Sequence, residues 1–387
     1  MRDITPNPAE HFVDDERLDR IRGHISETDL DGFLAFSPPN SYYLSGCYAG
    51  MYSRPVIALV THEESVFVGP RLEERKANRT AWTDRALFYE DSDRPFDVLS
   101  KAIPNDVDTL GYDADNARPE WVSKLAERVE PSFVDASEQF LSLRIVKTDW
   151  ELDKIRRAQD LANAGCEAMF ETVSSGVPEI EVAEAVQQAY YQTYLDKHAE
   201  YDIGTANELG QYGFSSVLSG PHALEPHSLS SSRQIESGDS VVGIALPSIQ
   251  GYVCEEERTF LVGDVAAEVA DAMEALVEIR EQAIDRVSPG ESVAEIDAWT
   301  FEQLEKAGLA DKVQHRTGHG EGITIHEDPA LNAQSSGELK PGMVISIEPG
   351  LYFHENGNAL RHSDTLIVTS DGAERITKTS ADVLTVN

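Results

Sequence analysis

The stretch that most constrains this chain runs from Gly238 to Phe260, where an apolar segment leads into three consecutive carboxylates, Glu255, Glu256 and Glu257. Val241, Val242, Ile244 and Leu246 give the first part the character of a strand. Pro247 and Ser248 interrupt it, and Gly251 opens a second strand. Side chains alternate along a strand, so Glu255 and Glu257 share one face and Glu256 takes the other. Carboxylates on an inward face are costly to bury without partners, so such a face belongs to a solvated edge or to an active site. Glu256, on the opposite side, reads as surface acid.

With 387 residues the chain is long for one core, and two domains are expected. Its 69 Asp and Glu outnumber 32 Lys and Arg, a formal net charge of -37, which argues against nucleic acid and anionic membrane surfaces as partners. The acid is spread along the chain, as suits a solubility device in a salt-rich cytoplasm. Cys47, Cys166 and Cys254 are far apart and odd in number, so a reducing setting is expected rather than a disulfide framework. No stretch has the length and apolarity of a membrane span, and the N-terminus lacks an apolar run, so a cytoplasmic protein is expected.

The pattern predicts a helix over 16–30, a buried strand over Gly32–Phe36, paired strands at 56–60 and 65–68, and further strands at 109–111 and 133–135 flanking a helix from Pro119. This alternation reads as an α/β domain ending near residue 140. Thr148 and Glu151 form a capping-box pattern opening a long helix to about Val173. Pro178 falls in the first turn of the next helix, which runs to about Lys197. Helices over 266–287 and from Ser292 to near Gly308 follow, and the rest is strand and loop, so the second domain reads as α+β.

Three further stretches carry candidate chemistry. His227 lies in a loop between Pro226 and Ser228. His319 and His326 lie in Gly318-His319-Gly320-Glu321-Gly322 and the residues after it; no helix follows, so this is no phosphate loop, and the two imidazoles are expected to line one cleft. Glu327 and Asp328 read as solvated. Glu348 ends an apolar strand in Glu348-Pro349-Gly350-Leu351-Tyr352, and Arg361, His362, Ser363 and Asp364 follow.

Together these segments resemble the pita-bread family that includes methionine aminopeptidase, aminopeptidase P, prolidase and creatinase. The resemblance covers the whole chain: the motifs Gly-Asp…Gly-Tyr…Arg-Thr-Phe, Gly-His-Gly…His-Glu-x-Pro and Glu-Pro-Gly-Leu-Tyr, with Arg144-Ile145-Val146-Lys147 at the domain junction. It implies a creatinase-like α/β domain over 1–142, an α+β pita-bread catalytic domain over 148–387, and a homodimer. The peptidases of this family hold two divalent ions with five side chains. Those positions fall here on Ile244, Glu255, His319, Glu348 and Ser363, and Ile has no donor atom while a Ser hydroxyl replaces a bridging carboxylate.

The resemblance is closest to the metal-independent branch, creatinase and ectoine hydrolase. It implies His227 as acid/base, with Glu257 and Glu348 as the other catalytic groups. It also implies that Tyr52, Arg54, His319, His326 and Arg361 bind substrate; a second Arg of creatinase falls near Asn332, which disfavours creatine itself. The expectation is therefore a hydrolase of a C–N bond in a small carboxylate-bearing molecule that uses no metal. The alternative is an Xaa-Pro dipeptidase in which Glu255, His319 and Glu348 hold one divalent ion such as Mn or Co. The third reading is a catalytically inactive module that grips peptides in the same cleft.

Overall fold

A run of short strand segments in the first 144 residues builds one mixed sheet, whose central strands over Gly32–Ala35, Ile57–Thr61 and Ser65–Pro70 are buried throughout while its edge strands are largely exposed. Its strands are β1 (Arg2–Ile4), β2 (Gly32–Ala35), β3 (Ile57–Thr61), β4 (Ser65–Pro70), β5 (Arg85–Tyr89), β6 (Thr109–Tyr112) and β7 (Ser132–Asp135), in the order β1-β5-β4-β3-β2-β6-β7. The computed structural model describes residues 1–48, 54–204 and 213–386. Residues Met1–Arg144 form one compact unit and the chain from Ile145 forms a second. Leu34, Ile57, Leu59, Val66, Val68, Leu87 and Leu110 make the core on one face of the first sheet. The helix Arg17–Ser26 is shorter than its apolar rhythm suggests. A helix over Pro38–Ser45 has no such rhythm and starts on the fixed φ of its two prolines. The buried Asp113 holds its entry, accepting from the Phe36 and Ser37 amides at 2.8 Å each.

The second unit opens with the helix Asp149–Thr172, capped reciprocally by Thr148 and Glu151. Pro178 caps the helix Glu179–Lys197 from outside, one residue earlier in role than its sequence position suggests. The helices Ala267–Ile284 and Val293–Lys306 follow the sequence pattern, the latter capped by Ser292. Between and after them come β8 (Gly213–Ser219), β9 (Ser240–Ile249), β10 (Tyr252–Val253), β11 (Glu256–Val262), β12 (Gly318–Gly320), β13 (Glu327–Leu331), β14 (Val344–Ile347), β15 (Gly350–Phe353), β16 (Asn358–Arg361), β17 (Asp364–Val368), β18 (Ala373–Arg375) and β19 (Leu384–Val386). One five-stranded sheet runs β10-β9-β11-β19 with β8 on the flank of β9; another runs β13-β12-β14-β17-β18; β15 and β16 form a hairpin.

Pro247 does not end β9 as expected. It lies near the strand's end, paired with Gly213 at the start of β8, and its carbonyl still accepts from the Cys254 amide at 3.2 Å. The turn comes at Gln250 and Gly251, whose φ of 49° and 82° suit a two-residue hairpin loop.

Behind the carboxylate strand lies a buried charge network. Arg258 contacts Asp364 at 2.9 Å and Glu256 at 3.0 Å, and Arg280 contacts the other Asp364 oxygen at 2.5 Å. Glu256 is fully buried and also accepts from Gln159 at 2.8 Å, so it is a structural partner of Arg258, not surface acid. Arg258 Nη1 also donates to the carbonyls of Glu257 at 2.7 Å and Ser363 at 2.8 Å, and Thr259 Oγ1 donates to the Arg361 carbonyl at 2.7 Å. These bonds stitch β11 to the segment 361–364. Burial alone would raise the Asp364 pKa, but Arg258 and Arg280 hold it well below the usual carboxylate range. A depressed folded pKa stabilises the fold above the unfolded value of about 4, and that contribution is lost as pH falls through the lower folded value.

Asp364→Asn leaves two buried guanidiniums short of a counter-charge and is expected to cost about 3–5 kcal/mol in urea unfolding at neutral pH; a loss under ~1 kcal/mol would contradict the role given to the network. Because the chain carries a net charge of -37, raising KCl from about 0.1 to about 1 M, which shortens the screening length from about 10 to about 3 Å, is expected to raise the melting temperature. A fall in the melting temperature would contradict this.

Candidate active site

The face of β11 and its neighbours gathers the acid. Glu255 precedes β11, Glu257 lies in it, and both are buried. His319 lies in β12, whose glycines permit close packing: a Cβ on Gly318 would meet the Ser346 carbonyl at 2.0 Å, and one on Gly320 the Asp328 carbonyl at 2.3 Å. Glu348 follows the apolar β14, its amide donating to Thr317 O at 2.7 Å.

These segments converge on one centre. His319 Nε2 lies 3.0 Å from Glu348 Oε1 and 3.8 Å from Glu255 Oε2. His319 Nδ1 lies 3.1 Å from the Gly320 carbonyl, which orients the ring and leaves Nε2 for the carboxylates. Burial would lower the His319 pKa, but the charges of Glu348 and Glu255 reverse this and push it up to about 10. Burial would raise Glu348, yet His319 brings it down to about 2. Burial and the Glu348 charge together push Glu255 up to about 7. His326 packs edge-on against His319, centroids 4.5 Å apart, and partial desolvation and the His319 charge hold it down at about 4, hence neutral.

Glu257 faces a different partner. Arg361 Nη2 donates to its Oε1 at 2.7 Å, and Arg361 Nε lies 2.5 Å from Oε2. Ile244 is directly opposite Glu257 on β9 and belongs to an apolar wall with Leu218, Val242, Leu246, Ile325 and Tyr352. His227 is exposed on the loop after β8, within electrostatic reach of His326. Arg54 belongs to the first unit, where it pairs with Asp91 through two contacts of 3.1 Å. Tyr52 lies outside the described residues. Glu327 is not solvated: it is buried and meets Lys147 at 3.3 Å and the Thr324 amide at 3.0 Å, whereas Asp328 is exposed.

Two groups had no role in the sequence reading. Glu321 is fully buried beside the cluster, the Thr365 hydroxyl 3.1 Å from both its oxygens, and burial and the Glu255 charge raise its pKa strongly. Its place in Gly-His-Gly-Glu-Gly was the available signal. Glu179 is fully buried and ties both ends of the His227 loop. It accepts from the Ser219 amide and hydroxyl at 2.7 and 2.8 Å and from the Ser231 amide and hydroxyl at 3.0 and 2.7 Å. His222 Nδ1 lies 2.8 Å from it as well.

Residues 153–370 match the metallopeptidase family M24, and residues 17–146 match the creatinase/prolidase N-terminal domain. The chain belongs to metallopeptidase family M24. This M24 chain is 29% identical to the Xaa-Pro dipeptidase of Pyrococcus furiosus, over 95% of its own length and 99% of that protein. It is 30% identical to the probable dipeptidase PepE of Mycobacterium bovis, over 96% of each. The prolidase structure from Pyrococcus horikoshii OT3 superposes with a TM-score of 0.82 at 25% identity, covering 96% of this chain and all of that one. The fold is thus the pita-bread fold of the prolidases, and the chain is a hydrolase of this family.

The expectation of a metal-free cleft is corrected. Its basis, the missing donors at 244 and 363, removes part of the donor set but not its centre. One ligating atom from each of Glu255, His319 and Glu348 lies within 4.8 Å of the others. Glu255 Oε1 is buried without a hydrogen-bond partner, and a His with two carboxylates suits a divalent cation. The residues therefore fit one ion. They do not fit the five-ligand pair, because Ile244 offers no donor.

Replacing Glu179 with Ala is expected to cost at least about 2 kcal/mol and to raise amide hydrogen exchange across 219–231. Unchanged protection of that loop would contradict the clamp.

Proposed function

We propose that this chain is an Xaa-Pro dipeptidase-type hydrolase, cleaving the C–N bond of a small carboxylate-bearing peptide with one divalent ion held by Glu255, His319 and Glu348. The observation that carries the reading is the convergence of those three donors in a chain whose full-length relatives are named dipeptidases. Those relatives favour peptide cleavage over the ectoine- or creatine-like reading.

When bound, the ion would polarise the scissile carbonyl and make water a better nucleophile. The protein's own groups supply the rest. Glu348 and Glu255, brought together with His319, give the anionic character that retains a cation. His326, neutral and beside His319, offers a hydrogen bond to substrate without adding charge. His227, on its clamped loop, gives a proton to the departing nitrogen, general-acid work for which imidazole is the commonest side chain. The apolar wall of Ile244, Val242 and Tyr352 excludes water from one side of the cleft and takes an apolar part of the substrate.

Dialysis against EDTA is expected to abolish cleavage of Xaa-Pro dipeptides, and Mn or Co to restore it. Full activity with less than ~0.1 equivalent of metal per chain would contradict the reading. His227→Ala is expected to lower kcat by about 10²–10⁴ with a smaller change in KM. A kcat within about threefold of the parent would remove His227 from proton transfer.

A further inference from the structure

Glu257 has an unusual position. Its cross-strand partner on β9 is Ile244, and on its other side it bridges to Ser363. Directly opposed residues project to the same face, so the Glu257 carboxylate stands against the Ile244 side chain. The oxygen-bearing group of this corner is thus on β11, and it is already engaged by the Arg361 fork at 2.7 and 2.5 Å. Arg361 is nearly buried, adjoins the Tyr352 hydroxyl, and acts electrostatically on both Glu255 and Glu348. Among the described residues, the one set of three ligand atoms that converge is Glu255, His319 and Glu348; Glu257 is not in it.

We infer that the Arg361 guanidinium, clamped by Glu257, is a resident cation that closes this corner of the cleft to metal, so that the centre takes one divalent ion and never a pair. The inference rests on the one-ion reading above and deepens it. A fixed guanidinium offsets the carboxylate charge that would otherwise call for a second ion, and it does so without oxygen donors from 244 or 363. Its charge also acts on Glu255 and Glu348, two of the three proposed ligands, so it sets that ion's affinity as well as the count.

The test is a calorimetric titration of Mn2+ into the EDTA-stripped full chain, with metal content of the loaded protein measured independently. The parent is expected to bind one equivalent. Arg361→Met removes the neighbouring positive charge and is expected to tighten that site by about tenfold, while Arg361→Lys keeps the charge and stays within about threefold of the parent. A merely structural arginine would weaken the site in both variants, and that result overturns the inference. Adding Ile244→Asp and Ser363→Glu to Arg361→Met restores oxygen donors and is expected to admit a second equivalent; one equivalent in that folded variant overturns the inference. If it does not fold, the Met and Lys pair decides. Two equivalents in the parent sink the resident-cation inference and leave metal-dependent cleavage standing. No binding in the parent sinks both.

Discussion

A carboxylate removed from water must meet an opposite charge or give up its own, and that constraint organises this molecule. Glu255, Glu256, Glu257, Glu321 and Glu348 are all buried within one domain. Each is answered differently. Glu256 has Arg258, Glu257 has Arg361, and Glu348 has His319. Glu321 has a hydroxyl and a raised pKa in place of a cation. Glu255 keeps one oxygen without a hydrogen-bond partner, which suits the ion proposed to lie between it, His319 and Glu348.

The two faces of β11 divide the labour. The face bearing Glu256 and Arg258 joins the Asp364 network and locks β11 to the segment 361–364. The face bearing Glu257 looks into the cleft, and the same stitching sets the register between Glu257 and Arg361. The charge network behind the strand therefore positions the Glu257–Arg361 pair in front of it. A single buried carboxylate at 179 likewise ties both ends of the loop that carries His227.

Much of this was legible in the sequence. Strand alternation put Glu256 on the face opposite Glu257, the Thr148 and Ser292 caps opened their helices, and the Gly-His-Gly and Glu-Pro-Gly stretches lie where His319 and Glu348 meet. What escaped was non-local. Glu256 looked like surface acid because its partners, Gln159, Thr379 and the Asp364-bound Arg258, come mostly from other elements. Glu179 drew no reading from the sequence because Ser219 and Ser231, the partners that define it, lie 40 and 52 residues away. The metal expectation failed for a related reason. Counting the donors missing at Ile244 and Ser363 says nothing about whether the three that remain converge, and they do.

The most direct measurement is anomalous diffraction from crystals of the Mn-loaded protein, collected on both sides of the manganese edge. The account predicts a single peak among Glu255, His319 and Glu348, with Arg361 still forked on Glu257. Paired peaks reaching toward Ile244 and Ser363, or no peak at the three donors, would contradict it.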